Sequence, residues 1–217
     1  VGETGPGNDP HPYDMDQFAR DAAGLIAALE LGPVHVIGAS MGGTIAQELA
    51  LLRPDAVRSL QIACSWPWTD PWLAELIRRW NGLFSAMGAF EWARTTWVWV
   101  FTHRWFHDRE QMRTLRRDAE SSPYPQTGEM FARQCDAIVG FDARDRLHGI
   151  AAPTHVIAGA EDIFIPPRFS REIAALIPGA RLTILPDVGH GMFWETPDAF
   201  NAALLAFLDA HRGAPPR

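Results

Sequence analysis

The sequence predicts an α/β fold: a mostly parallel sheet with helices on both faces, interrupted by a helical insertion. Three observations carry this. Short apolar runs at 34–38 and 57–63 flank a helix-periodic stretch at 41–52, the strand–helix–strand order of parallel sheets. The same alternation resumes at 153 and runs to 211. Between the two halves, 67–150 shows helical spacing and no strand. The expected organisation is therefore a core made of 1–66 and 151–217, with a cap at 67–150.

Each element has a local reason. Residues 1–14 carry Gly2, Gly5, Pro6, Gly7, Pro10 and Pro12 and read as loop. Phe18, Ala22, Leu25, Ile26 and Leu29 then recur at helical spacing, behind Asp14 as N-cap and before Gly32-Pro33 as stop. Val34–Gly38 is a short buried strand, Met41–Leu52 a helix ending before Pro54, and Val57–Ala63 a second strand. Eight of the nine tryptophans lie between Trp66 and Trp105. Within that stretch 72–87 is helical, and Trp92–Phe106 forms a second helix, apolar around most of its circumference, which other elements must cover. Helices follow at 108–120 and 127–140. Thr154–Ala158 and Arg181–Leu185 are strands, 167–177 is a helix stopped by Pro178-Gly179, and Pro197–His211 is a final amphipathic helix.

Composition removes several classes of function. All 19 basic residues are arginine, so a P-loop, a pyridoxal Schiff base, kinase chemistry and a Ser–Lys dyad are excluded. The net charge of −7 argues against a nucleic-acid binder, which shows a basic face. Cys64 and Cys135 form no CxxC, so neither a disulfide framework nor a cysteine zinc site is expected. No run reaches the ~18 apolar residues of a membrane span, and the polar start is no signal peptide. The expected location is cytoplasmic.

The chemistry centres on Gly38-Ala39-Ser40-Met41-Gly42, a G-x-S-x-G between an apolar strand and a helix. Glycines beside the serine leave room for a tight, strained turn that presents the hydroxyl at the positive end of the following helix. The Met41 N–H would face a developing oxyanion. A serine nucleophile needs a base, and the base an orienting acid. Gly189-His190-Gly191, between the last strand and the last helix, supplies the base; its glycines are expected to let the backbone bend. Asp162, after the preceding strand, is the acid, with Glu161 as fallback and Asp136 as a remote third choice.

These residues resemble the α/β-hydrolase superfamily. The resemblance rests on VHVIGASMGG, APTHVIAGAEDIFIPP and LPDVGHGMFWETPDAFNAALLAFL, and spans nearly the whole chain. Within the superfamily, FARQCDAIVGFDARDRLHGIAAPT and PGARLTILPDVGHGMFWE look most like the branch of 3-oxoadipate enol-lactonases and small esterases. By resemblance Ser40, Asp162 and His190 are nucleophile, acid and base, and the Met41 amide is one oxyanion donor. Such proteins begin with further strands and an HG-type loop that gives the other donor. Nothing before Ser40 matches it, and Val1-Gly2-Glu3-Thr4 looks like the tail of the family's RG-x-G-x-[ST] segment. The expectation is an N-terminally truncated member. Loss of one oxyanion donor costs about 2.7–4 kcal/mol, which bears on this chain's own activity.

The function expected is two-step hydrolysis of a small apolar ester or lactone, with neither metal nor organic cofactor. Hydrolysis of carbon–carbon bonds in diketones by the same residues is the alternative, as is a catalytically weak ligand-binding protein. Trp66, Trp97 and Trp194 are candidate pocket walls. The tryptophan cluster reads first as ordinary cap core, then as the lining of a pocket, and last as an association surface, as in a homo-oligomer. Trp194 would shield the imidazole or pack under its loop. His103 and His107 sit four apart on the expected helix, but Arg104 stands where a zincin has glutamate. Asp142, Arg144, Asp145 and Arg146 are expected to form a solvated ion-pair hinge where the cap rejoins the sheet.

Overall fold

The computed structural model describes residues 12–121 and 126–213. The Val1–Thr4 segment and most of the expected N-terminal loop lie outside the described residues.

Helix α1 (Met15–Ala28) starts at Asp14, whose side chain accepts from the Gln17 N–H at 2.6 Å. It is followed by β1 (Val34–Ala39), α2 (Met41–Leu52) and β2 (Val57–Ala63). Beyond the insertion come β3 (Thr154–Gly159), α6 (Pro167–Leu176), β4 (Arg181–Leu185), a four-residue α7 (Met192–Glu195) and α8 (Pro197–Ala210). The four strands form one parallel sheet in the order β1-β2-β3-β4.

Strand alternation divides the core between the two faces. Leu60, Ile62 and Val156 join the cluster that includes Leu49 of α2 and Phe169 and Ile173 of α6. Ala63 and Ile157 join Leu185, Met192 and Phe200 on the other face. There the Gln61 side chain donates to the Leu204 carbonyl of α8 at 3.0 Å. The sheet thus has helices on both faces, as expected.

Strand β1 departs from the expected burial. It is only half-buried, and Ile37 is 47% exposed. It is the edge of the described sheet, and the Gln61 hydrogen bond to α8 starts from its neighbour β2.

The insertion contains α3 (Pro71–Val100), α4 (Arg109–Glu120) and α5 (Gly128–Val139). Helix α3 breaks at Gly88, which takes φ +79° and ψ 169°; a left-handed φ of this kind favours glycine. The helix expected over 92–106 ends early, at Val100. Phe101 is extended, and the Thr102 N–H goes to the Glu195 carboxylate instead of a helical carbonyl. Thr95, Thr96, Val98 and Val100 are β-branched and weak helix formers, so a tertiary acceptor wins. His103 consequently lies in a turn and His107 in a one-turn 3₁₀ helix, not together on one helix.

The expected ion-pair hinge also changes. Arg144 pairs with Asp142 at 2.5 Å. Arg146 turns inward to the buried Glu48 of α2, with two contacts of 2.6 Å, and so ties the segment entering β3 to the core. Among the described residues, no helix is long and apolar enough to cross a membrane.

Candidate active site

Parallel strands end their C-termini on one edge, and loops there carry polar groups on a rigid base. Ser40 follows β1, Cys64 follows β2, Asp162 follows β3, and His190 lies five residues beyond β4.

Ser40 adopts φ +54°, ψ −124°. Such a conformation in a non-glycine residue costs about 1–3 kcal/mol and persists only where its surroundings impose it. Here the Ser40 N–H donates to the Ala63 carbonyl at 2.9 Å, and the Ser40 carbonyl accepts from Gly43 at 2.9 Å. Met41 opens α2, so its N–H belongs to the first turn, where helical N–H groups have no intrahelical acceptor. The glycines make the turn possible by close approach. A Cβ on Gly38 would lie 2.1 Å from the Gly42 carbonyl oxygen, and one on Gly43 would lie 2.5 Å from Ser65. Gly42 itself has open space, so its lack of a side chain is not needed for room.

Asp162 is 3% exposed and fully engaged. Its Oδ1 accepts from the Phe164 and Ile165 N–H groups at 3.0 and 2.7 Å. Its Oδ2 lies 2.8 Å from His190 Nδ1. A carboxylate only accepts, so Nδ1 carries the proton and Nε2 is the ring's other face to the site. Glu161, the fallback acid, pairs instead with Arg104 at 2.5 Å on the surface. Asp136 lies on α5, in a cleft with Tyr13 and Arg146.

His190 is 6% exposed. Burial works against a charged ring, but the Cys64 sulfur and the Asp162 carboxylate outweigh it and hold the imidazole above its ordinary pKa. The Phe164 ring stands edge-on to it, centroids 4.8 Å apart. Sequence reasoning missed Phe164 and Cys64. Their signal was positional: Cys64 directly follows β2, and Phe164 lies two residues beyond Asp162.

The glycines around His190 act differently from the expectation. Gly191 has φ −79°, an ordinary value, so backbone freedom is not what requires it. A Cβ there would lie 2.6 Å from Phe101, and one on Gly189 would lie 3.0 Å from the Val100 carbonyl oxygen. Both are glycine because the end of α3 presses on this loop.

The candidate pocket walls separate. Trp66 is 1% exposed, inside the main core, with its indole N–H donated to Thr69 at 3.0 Å; it is core, not an open wall. Trp97 is 8% exposed on α3. Trp194 is 54% exposed, packed on Phe193 and Phe101, so Phe164 and not Trp194 flanks the imidazole. Trp80, Trp92, Phe84 and Phe131 form a continuous aromatic core between α3 and α5. Among the described residues, no three His, Cys, Asp or Glu side chains gather as a metal site.

Comparison with known proteins agrees with this architecture. A family model for the alpha/beta hydrolase fold matches residues 1–197. A protein of Azorhizobium caulinodans named for carbamate hydrolysis is 31% identical over 201 residues, covering 93% of this chain and 76% of the relative. A solved Mycobacterium tuberculosis structure named for a non-heme bromoperoxidase superposes with TM-score 0.83 at 27% identity, covering 95% of this chain and 78% of that one. The enol-lactonase of Burkholderia xenovorans gives TM-score 0.82 at 27% identity, covering 93% and 75%.

Proposed function

We propose that this chain, which belongs to the alpha/beta hydrolase fold family, is a serine hydrolase that cleaves a small apolar ester or lactone through an acyl-enzyme at Ser40. One observation carries the reading: a buried His190–Asp162 pair at 2.8 Å, on the strand-end edge that also holds Ser40 at φ +54°.

The steps follow from the groups. His190 Nε2 takes the Ser40 proton as Oγ bonds to the substrate carbonyl carbon. The Met41 N–H stabilises the oxyanion. The oxyanion collapses, the carbon–oxygen bond of the leaving group breaks, and the imidazolium returns the proton to the leaving alkoxide. Water then attacks the acyl-enzyme with His190 again as base, releasing acid and restoring Ser40. Asp162 fixes the tautomer throughout. Every step is acid–base and acyl transfer, so protein groups and water suffice. The 67–150 segment acts as the cap over this edge, and its apolar aromatic content suits a compact substrate.

The relative named for carbamate hydrolysis adds a substrate class open to the same attack. A carbamate carbonyl is deactivated by its nitrogen, so esters are expected to turn over faster. The test is fluorophosphonate labelling with the adduct mapped by mass spectrometry, beside turnover of p-nitrophenyl acetate, a simple lactone and an aryl carbamate. One adduct on Ser40, lost in Ser40→Ala, supports the reading. A folded chain that neither labels nor turns over any of the three rejects it.

A further inference from the structure

The turn that ends α3 is fastened to the His190 loop at several points. The Gly191 N–H donates to the Val100 carbonyl at 2.8 Å. The Glu195 carboxylate, at the end of α7, folds back over its own turn. Its Oε1 accepts from the Gly189 N–H at 3.2 Å and the Thr102 N–H at 3.3 Å. Its Oε2 accepts from the Thr102 N–H at 3.2 Å and from the Thr102 hydroxyl. One carboxylate thus joins the residue before His190 to Thr102, which lies 93 positions before Glu195 in the chain.

We infer that Glu195 is a positioning residue for His190: it locks the imidazole-bearing loop to the end of α3, so the seat of the base depends on the seating of the helical insertion.

Three arguments favour this over simple loop stapling. First, Glu195 is half-buried and Thr102 is 6% exposed, and hydrogen bonds to an ionised acceptor are about twice as strong as neutral ones. The side-chain pairs of Arg104 with Glu161 and Asp187 are, by contrast, surface contacts of the kind worth about 0–1 kcal/mol. Second, the fastening costs the helix its continuation, since the Thr102 N–H leaves the helical pattern to reach Glu195. Third, the contact at Gly189 is close: a Cβ there would come 3.1 Å from Glu195 Oε1. A carboxylate this close to the residue beside His190 transmits its own position to the ring.

The consequence is kinetic. Misplacing a catalytic group by about 1 Å can cost on the order of 100-fold. Without the lock, His190 meets Ser40 and Asp162 less often in the productive geometry, while substrate binding is unaffected. The loss therefore falls on kcat and spares KM.

This inference rests on the reading of His190 as the base, so the experiment carries a readout independent of turnover. Thr102→Val, Thr102→Ser and Glu195→Gln are compared with the wild-type chain. Fluorophosphonate inactivation and ester kinetics are measured beside the low-field proton resonance of the His190 Nδ1–H bound to Asp162. Expected are a fall of about 10- to 100-fold in inactivation rate and kcat for Thr102→Val and Glu195→Gln, unchanged KM, and a weakened resonance. Thr102→Ser, which keeps the hydroxyl, is expected to retain both. If Glu195→Gln fails to fold, the Thr102→Val and Thr102→Ser pair decides. Unchanged rate and resonance in the folded variants overturn the inference, as does a wild-type chain that lacks the resonance. If the wild-type chain shows the resonance but does not label, the hydrolase reading fails. Loss of the resonance in Thr102→Val still upholds the role of Glu195.

Discussion

Phe164 packs edge-on against His190 with ring centroids 4.8 Å apart, and it also meets Trp80 at 4.5 Å. The aromatic core of the insertion therefore continues to the imidazole through a single ring. Phe164 has a second function in the backbone, because its N–H is one of the two that hold Asp162 Oδ1. Replacing the side chain leaves that N–H in place, so a substitution here tests the ring alone. Phe164→Ala is expected to cost about 3–5 kcal/mol of stability, as buried Phe truncations do, and to slow labelling of Ser40 by admitting water beside the ring. Phe164→Leu keeps most of the volume and should cost less on both counts. Urea unfolding and inactivation rates measured on the same samples check this; equal rates in all three chains would remove the ring from the chemistry.

The His190–Asp162 pair sets an expected pH profile. The base must be neutral to accept the Ser40 proton, and its pKa is held above the ordinary value. Activity is therefore expected to rise with pH through an acid limb whose midpoint lies above about 6.5, the unperturbed histidine value. Asp162→Asn removes the acceptor charge, favours the wrong tautomer and should lower kcat by about 10⁴. The measurement is kcat/KM against pH for wild-type chain and variant. A wild-type midpoint below the ordinary histidine value would contradict the environment described for the ring.

Gly159 is a close backbone crossing under the His190 loop. A Cβ there would lie 2.3 Å from the Gly189 carbonyl oxygen and 2.4 Å from that of Val188. Neither is a flexible side chain, so the His190 loop itself must move. Gly159→Ala is expected to cost about 1–3 kcal/mol, the usual range for overpacking, and to reduce labelling of Ser40 beyond what its stability loss explains. Gly42→Ala is the matched control, because its added methyl meets nothing within 4 Å. Thermal unfolding and inactivation rates distinguish the two.

The strands and most helices were legible because local signals and tertiary packing agree. Val57–Ala63 and Arg181–Leu185 lie between Gly or Pro stops, and each becomes the strand its pattern predicts. The Ser40 turn was legible for the same reason: a glycine-bounded serine between strand and helix has few alternatives. What escaped was decided by partners far away in sequence. The end of α3 depends on Glu195, and the direction of Arg146 depends on Glu48, 98 residues away. The glycines beside His190 were correctly singled out for an incorrect reason, because close approach by Phe101 and Val100 cannot be read from spacing. The exposure of β1 had no local signal either, since an apolar strand reads the same at an edge as at the centre.

His155 offers a stability test separate from the active site. It is 2% exposed on β3, with Nε2 2.9 Å from the Thr183 hydroxyl and its ring 5.2 Å from Phe207. Burial, and then the positive charge of Arg181, lowers its pKa to about 4. The folded ring stays neutral where the unfolded one takes up a proton, so the unfolded state gains as pH falls through the interval from about 6.5 to about 4. The sign is opposite to that of His190, whose raised pKa leaves its contribution complete below about 6.5 and lost only as pH rises through the folded value. Between pH 7 and 4.5 the two effects therefore do not cancel. His155 should cost the wild-type chain about 2 kcal/mol over that interval. His155→Gln, which does not titrate there, is expected to be less stable than wild type at pH 7 but to lose that much less on acidification. Urea unfolding at the two pH values measures this directly. Parallel losses in the two chains would mean that His155 is protonated in the folded state and that its burial does not exclude the charge.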